Sequence, residues 1–337
     1  MNRSTINLHL GDSLEAMRGM EENIIYCDDW MNNTLPDKSV QLLIADPPYF
    51  EVKGSFDFVW KSFDDYLKDV EKWAIECKRL LADNGTLFWY GHAKKIAYAQ
   101  IIFDKYFNLE NVIKWRKTDC QTRKGYDIYN VFPPVTEHIL MYSNEIIRTG
   151  LEEIKLDVNN FQTLRQYFKE LQEYIGVPKS KIIETIGQKA DHCFRWGSTQ
   201  WDLPIVETYN ELKEHFKIDQ WKGFKEYETL RQEYETLRRQ FDNFKKLFDV
   251  MSFDQEAHIT KNYEHDTCKP ETLTRTLILT CSRANDLVFI PFAGSGTEVA
   301  MAIKEGRSAI GFDIEKKYVE MANKRTDIIK AQPSLFF

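Results

Sequence analysis

The sequence predicts an α/β fold interrupted by a mainly helical insert. Three observations point there: short apolar runs separated by helical patterns at both ends of the chain, a middle stretch with helical spacing but no strand signal, and proline- or glycine-containing turns directly after two of the apolar runs. The chain has 337 residues, more than the ~250 over which a single core usually grows, so two lobes are expected.

Taken in order, Val40 to Ala45, Thr86 to Tyr90, His138 to Tyr142, Asp286 to Ile290 and Ser308 to Phe312 are short and apolar enough to be buried strands. Tyr66 to Leu81 and Glu298 to Lys304 carry helical spacing between them. Residues 151–258 are rich in Glu, Lys, Gln and Tyr and form the expected insert. It divides the chain into segments 1–150, 151–258 and 259–330, with a tail at 331–337. Within the insert, the heptad beginning at Tyr227 is repeated from Tyr234, and Phe241, Phe244 and Phe248 continue its spacing. The pattern predicts one helix over 227–248 with a coiled-coil-like seam. About three heptads favour a seam packed on its own domain, with a homodimer as the other use.

Apolar residues make up 43% and charged residues 29%, as in folded soluble proteins and unlike disordered tails or fibrous repeats. A net charge of -7 argues against a protein that coats nucleic acid by charge alone. Locally the balance reverses: residues 111–125 carry Lys114, Arg116, Lys117, Arg123 and Lys124 against the single acid Asp119, a cluster suited to phosphate contacts or to a solvated loop. The six cysteines include no C-x-x-C pair, which points away from a disulfide framework and from zinc, and no metal is expected. No stretch approaches the ~18 apolar residues of a membrane span, and a cytoplasmic protein is expected.

Two turns carry chemistry. Asp46-Pro47-Pro48-Tyr49 follows the Val40 to Ala45 strand. An amine conjugated to an aromatic ring is a poor nucleophile, because its lone pair is delocalised into the ring. The Asp46 carboxylate and the Pro47 carbonyl can accept its hydrogens, since consecutive prolines fix φ and lack an N–H, leaving a stiff turn with free carbonyls. Tyr49 adds an aromatic face for a base. The second turn, Pro291-Phe292-Ala293-Gly294-Ser295-Gly296-Thr297, lies between a strand and a helix. Its glycines allow a tight turn and its N–H groups suit an anionic group; Val299 stands where a third fingerprint glycine would be. Asp313, closing the next strand, is placed to bind ribose hydroxyls.

Together, D-P-P-Y first and F-x-G-x-G last, the turns resemble those of the β-type amino-methyltransferases of DNA, a family with a circularly permuted motif order. Asp37 to Ile44, Arg79 to Thr86, Asn111 to Lys117, Thr136 to Leu140, and Gly306 to Arg325 extend the resemblance. It implies a Rossmann-like methyltransferase sheet that uses S-adenosylmethionine, a catalytic half in 1–150, target recognition in 151–258 and a cofactor-binding half in 259–330. Asp46, Pro47, Pro48 and Tyr49 would hold a base flipped out of double-stranded DNA. Phe292, Gly294, Ser295, Gly296 and Thr297 would cradle the methionine end of the cofactor with Lys269 and Pro270. Asp313 would bind ribose, and Asp28 would meet the cofactor adenine, with Asp12 as the competing acid. His138 and His265 read as structural.

In the family Asp at the first motif position leans towards N6 of adenine and Ser towards N4 of cytosine, so Asp46 favours adenine. A non-catalytic DNA-binding relative is the reading from another class. In the insert, Val177 to Trp196 resembles a helix-turn-helix-like region, with Lys179, Lys181, Lys189 and Arg195 towards DNA, or else forms a polar helical lid. The tail Gln332 to Phe337 resembles the short motif that docks on the replication sliding clamp, or packs Leu335 and Phe336 on the protein itself.

Overall fold

The computed structural model describes residues 20, 22–52, 58–118, 132, 134–144, 161–198, 200–254 and 268–331. The expectations for Asp12, Arg123, Lys124, His265 and Gln332 to Phe337 fall outside them. The chain divides into two compact units, Met1–Ile147 with Gln240–Phe337, and Arg148–Arg239.

The strands are β1 (Ile24–Cys27), β2 (Val40–Ala45), β3 (Leu81–Gly91), β4 (Asn108–Lys117), β5 (Thr136–Ser143), β6 (Val250–Phe253), β7 (Leu287–Ile290) and β8 (Ser308–Asp313). The helices are α1 (Phe63–Leu80), α2 (Ile96–Phe103), α3 (Gln162–Ile175), α4 (Lys179–Ile186), α5 (Val206–Phe216), α6 (Tyr227–Leu237), α7 (Glu271–Cys281), α8 (Thr297–Lys304) and α9 (Lys316–Lys330). All described strands join one sheet in the order β1-β8-β7-β2-β3-β5-β4-β6. From β1 to β3 the neighbours run parallel, and β5 is antiparallel to both β3 and β4.

The near-continuous apolar runs of β2, β3 and β7 are explained by burial on both faces. Leu43, Leu87, Trp89 and Phe289 point to the face covered by Val70, Ala74 and Cys77 of α1 and by Ala99 and Phe103 of α2. Leu42, Ile44, Phe88, Tyr90 and Ile290 point to the other face, against α7, α8 and α9 through Leu277, Val299 and Ala322. Helix α1 starts where the Ser62 hydroxyl accepts from the Asp65 N–H at 3.1 Å, and its ends carry Asp64 and Asp65 against Lys78 and Arg79, matching the helix dipole.

The second unit holds α3 to α6 around a core of its own, including Leu164, Phe168, Ile182, Leu212 and Leu230. Tyr167 donates to the Tyr209 hydroxyl at 2.5 Å, and Tyr209 to the Lys225 carbonyl at 2.7 Å, so both tyrosine hydroxyls in this core are satisfied. Gly176 closes α3 at φ 73°, and α4 follows after Val177 and Pro178, a helix-turn-helix connection.

Two expectations are corrected. The helix predicted over 227–248 ends at Leu237; Phe241, Phe244 and Phe248 are 45%, 43% and 82% exposed and form no buried seam. The backbone is already extended at Arg238, and beyond it the Asn243 side chain bonds both the N–H and the carbonyl of Leu247, at 2.8 and 2.7 Å, closing a local turn in place of a helix. The stretch expected to lack strands contains β6, which pairs in parallel with β4 and belongs to the sheet rather than to the insert. Four residues are too few for alternation to show.

Candidate active site

Strand order reverses direction between β2 and β7. From β7 the chain proceeds outward to β8, and from β2 it proceeds the other way to β3, while Leu42 and Leu43 pair with Val288 and Phe289. Such a switch point opens a crevice beyond the carboxyl ends of the strands. Both sequence-predicted turns leave the sheet there, Asp46 to Tyr49 from β2 and Pro291 to Gly296 from β7. Asp313 ends β8 in register with Cys27 of β1, which brings Asp28 beside it.

At the first turn the Tyr49 hydroxyl donates to Asp46 Oδ1, and Lys269 Nζ lies 2.8 Å from Asp46 Oδ2. Lys269 also reaches Glu137 Oε2 at 3.1 Å, and Lys117 pairs with Glu137 Oε1 at 2.6 Å. Tyr66 of α1 donates to the Pro48 carbonyl at 3.1 Å, tying the turn to the helix. Phe50 and Glu51 follow at φ 58° and 52°, left-handed backbone that costs energy in residues other than glycine. Phe50 is held there by Phe63 at 5.3 Å and by Lys95 over its ring at 4.8 Å.

Electrostatics follow from this packing. Burial works against the charged Glu137, yet Lys269 and Lys117 hold its carboxyl down to about 2. Burial likewise disfavours the charged Lys269, but Asp46 and Glu137 raise its affinity for the proton well above the ordinary lysine value. Burial and the neighbouring Asp46 push the Tyr49 hydroxyl up, so it remains a donor. Glu298, fully buried in the first turn of α8, is pushed up to about 7 by burial and then by Asp46. Among the described residues its Oε1 and the buried Tyr90 hydroxyl have no hydrogen-bond partner.

At the second turn Gly294 and Gly296 have φ 46° and 73°. The Gly294 N–H donates to Asp313 Oδ2 at 2.9 Å, and the Glu315 N–H to Asp313 Oδ1 at 2.8 Å. A Cβ on Gly296 would lie 2.6 Å from the Ala322 Cβ, so here glycine is demanded by α9 as well as by the turn. Ser295 and Thr297 are buried with their hydroxyls 3.1 Å apart. Arg325 donates to Thr297 Oγ1 at 2.9 Å and pairs with Glu271 at 2.5 Å, linking the turn to α9 and α7. Phe292 packs edge-on to Trp30 and Trp73 at 5.9 and 5.1 Å. Asp28 is exposed, accepting from the Asp29 N–H at 2.8 Å and from Asn32 at 3.0 Å.

The structure therefore brings Asp46, Tyr49 and Lys269 together and places Asp28 and Asp313 along the same crevice. Lys269 sits on Asp46, and Pro270 caps α7. Glu137, Tyr90, Glu298 and Arg325 join the site without having been singled out as site residues in the sequence. A charged residue opening the apolar run of β5 was the one local sign of Glu137.

Among the residues expected to meet DNA, Lys114 and Arg116 alternate with buried Ile113 and Trp115 and are exposed on β4. Lys117 instead turns inward to Glu137. In the second unit Lys179 and Arg195 both pair with Asp191, Lys181 with Glu184 and Lys189 with Glu211. His138 is partly buried, and burial, then Lys114 and His92, lower its affinity for a proton. Among the described residues there is no cluster suited to a metal ion and no helix long and apolar enough to cross a membrane.

Residues 40–324 match the family described as DNA methylase. Type II methyltransferase M2.DpnII of Streptococcus pneumoniae is 35% identical over 86% of this chain and 83% of its own length. DNA adenine methyltransferase YhdJ of Escherichia coli (strain K12) is 25% identical over 87% of this chain and 78% of its own. The solved PvuII DNA methyltransferase (cytosine-N4-specific) is 12% identical and shares the fold, with a TM-score of 0.50 over 88% of this chain and 85% of that one.

Proposed function

Because the chain belongs to the DNA methylase family, we propose that it methylates N6 of adenine in DNA, at a sequence read by the Arg148–Arg239 unit. S-adenosylmethionine is the methyl donor, and it supplies an electrophilic methyl carbon when bound. The acceptor turn, beginning with Asp46 rather than serine, carries the adenine reading. A relative named as a DNA adenine methyltransferase supports it.

A carboxylate offers about four lone-pair directions. Tyr49 and Lys269 take two of those at Asp46, leaving room to accept a hydrogen of the N6 amine, while the Pro47 carbonyl accepts the other. Holding both hydrogens favours a tetrahedral nitrogen and frees its lone pair for in-line attack. Lys269, fixed by Glu137, which Lys117 fixes in turn, keeps Asp46 from rotating. Alignment and preorganised acceptors in a desolvated crevice would then lower the barrier. The residues present fit the cofactor: the turn of Phe292, Gly294, Ser295, Gly296 and Thr297 would cradle its methionine end, Asp313 keeps lone pairs that would accept from ribose, and exposed Asp28 would meet adenine. Lys114 and Arg116 are offered to phosphates.

The test is to incubate the protein with unmethylated DNA and a methyl-labelled donor, digest to nucleosides, and separate them by mass spectrometry. N6-methyladenine is the expected product. Labelled N4-methylcytosine would replace the adenine reading, and no labelled nucleoside would end the proposed activity.

A further inference from the structure

The buried cluster at the acceptor turn holds one acid more than it can neutralise. Asp46 and Glu137 are met by Lys269 and Lys117, whereas among the described residues Glu298 has no cation of its own. The charged or titratable groups facing Glu298 are Asp46 after β2, Lys269 before α7, Arg325 on α9 and Tyr90 on β3. Arg325 is committed to Glu271 and Thr297, and Lys269 to two carboxylates. Glu298 is 5% exposed, and among the described residues both its Oε1 and the Tyr90 hydroxyl beside it lack hydrogen-bond partners. A buried, ionised and unpaired carboxylate is costly, so such a group either keeps its proton or waits for a cation.

We propose that Glu298 is the proton-exchanging counter-charge to the cofactor: neutral in the empty protein, ionised while the cationic sulfonium is bound, and neutral again once the methyl has gone. This rests on the placement of the cofactor at the Phe292 to Thr297 turn. In the transfer, the amine nitrogen forms a bond to the methyl carbon as the carbon–sulfur bond breaks with its electron pair staying on sulfur. The positive charge passes to nitrogen and leaves as a proton. The charge that kept Glu298 ionised is then gone, and Glu298 takes up one proton. The cluster ends with as many protons as it had before the cofactor bound. The neutral product, S-adenosylhomocysteine, finds a neutral cluster and is held less tightly than the donor by this effect.

Calorimetric titration of the whole chain, without DNA, tests the idea. Donor and product share the same amino and carboxylate groups, so the difference between them isolates the sulfonium. In buffers of different ionisation heat at pH 6, where Glu298, pushed up to about 7, is mostly neutral, binding of S-adenosylmethionine should release close to one proton more than binding of S-adenosylhomocysteine. The ratio of the two affinities should rise about tenfold from pH 6 to pH 8 in favour of the donor. In Glu298→Gln both effects should vanish while S-adenosylhomocysteine affinity stays within several-fold. Equal proton counts for the two ligands in the unaltered protein overturn the proposal, whether or not the variant folds. So does a Glu298→Gln protein that keeps the pH-dependent ratio. Failure of the unaltered protein to bind either ligand would overturn the cofactor placement as well.

Discussion

At the scale of single residues the site depends on Asp46, whose carboxylate is the meeting point of Tyr49, Lys269 and the proposed amine. Asp46→Ala should lower methyl transfer by roughly 10²–10³-fold, the usual cost of removing a preorganised hydrogen-bond partner. Cofactor affinity should stay within several-fold, because Lys269 retains Glu137 and the glycine turn is untouched. Single-turnover transfer and equilibrium binding separate the two; unreduced transfer would remove Asp46 from the reaction. Asp46 was legible in the sequence because its partners in the motif, Pro47 to Tyr49, are its chain neighbours. Glu137, Lys117 and Lys269 were not legible as a group. They meet through sheet register and the loop before α7, across as many as 132 positions, and no local pattern records that. Glu298 was hidden for another reason: a glutamate in the first turn of a helix reads as a dipole partner in water, and only the packing of α8 shows it buried.

At the scale of elements, the glycine turn and α9 behave as one part. Gly296→Ala places a methyl group 2.6 Å from the Ala322 Cβ and asks alanine to adopt φ 73°. The variant should lose about 1–3 kcal/mol of stability and bind the cofactor more weakly, as the turn shifts off α9. Ala322→Gly in the same chain relieves the contact but leaves the backbone strain, so it should restore part of the stability and not all of it. Thermal melts of the single and double variants check this, and no gain from the second change would show that α9 is not what confines the turn. The strands after which both motifs turn were expected within a residue or so, since β2, β7 and β8 are apolar enough to mark fully buried positions. The heptad over 227–248 misled because spacing alone cannot register where the backbone turns extended, as it does at Arg238, or where a side chain such as Asn243 then holds a local turn. β6 escaped notice because its alternation spans only four residues at the sheet edge.

At the scale of the molecule, each of the two units has its own core, and every residue assigned to the acceptor turn and the cofactor lies in Met1–Ile147 with Gln240–Phe337. Replacing 148–239 by a short Gly/Ser linker should therefore leave a protein that melts cooperatively and binds S-adenosylhomocysteine within about tenfold of the full chain, while site-specific methylation of DNA is lost. Calorimetry and methylation mapping would show it; loss of ligand binding in a folded deletion would mean that the units depend on each other. The placement of β1 has a consequence for synthesis. Among the described residues its one neighbour in the sheet is β8, so that pairing waits until Ser308–Asp313 has left the ribosome. At about 5–20 residues per second, that delay is roughly 15–60 s. Throughout it β2 is likewise without β7, and the earliest apolar strands must be kept from pairing with the wrong chain. The crevice between β2 and β7 comes into being only once β7 and β8 have emerged, so a nascent chain cannot bind the methyl donor before those strands are made.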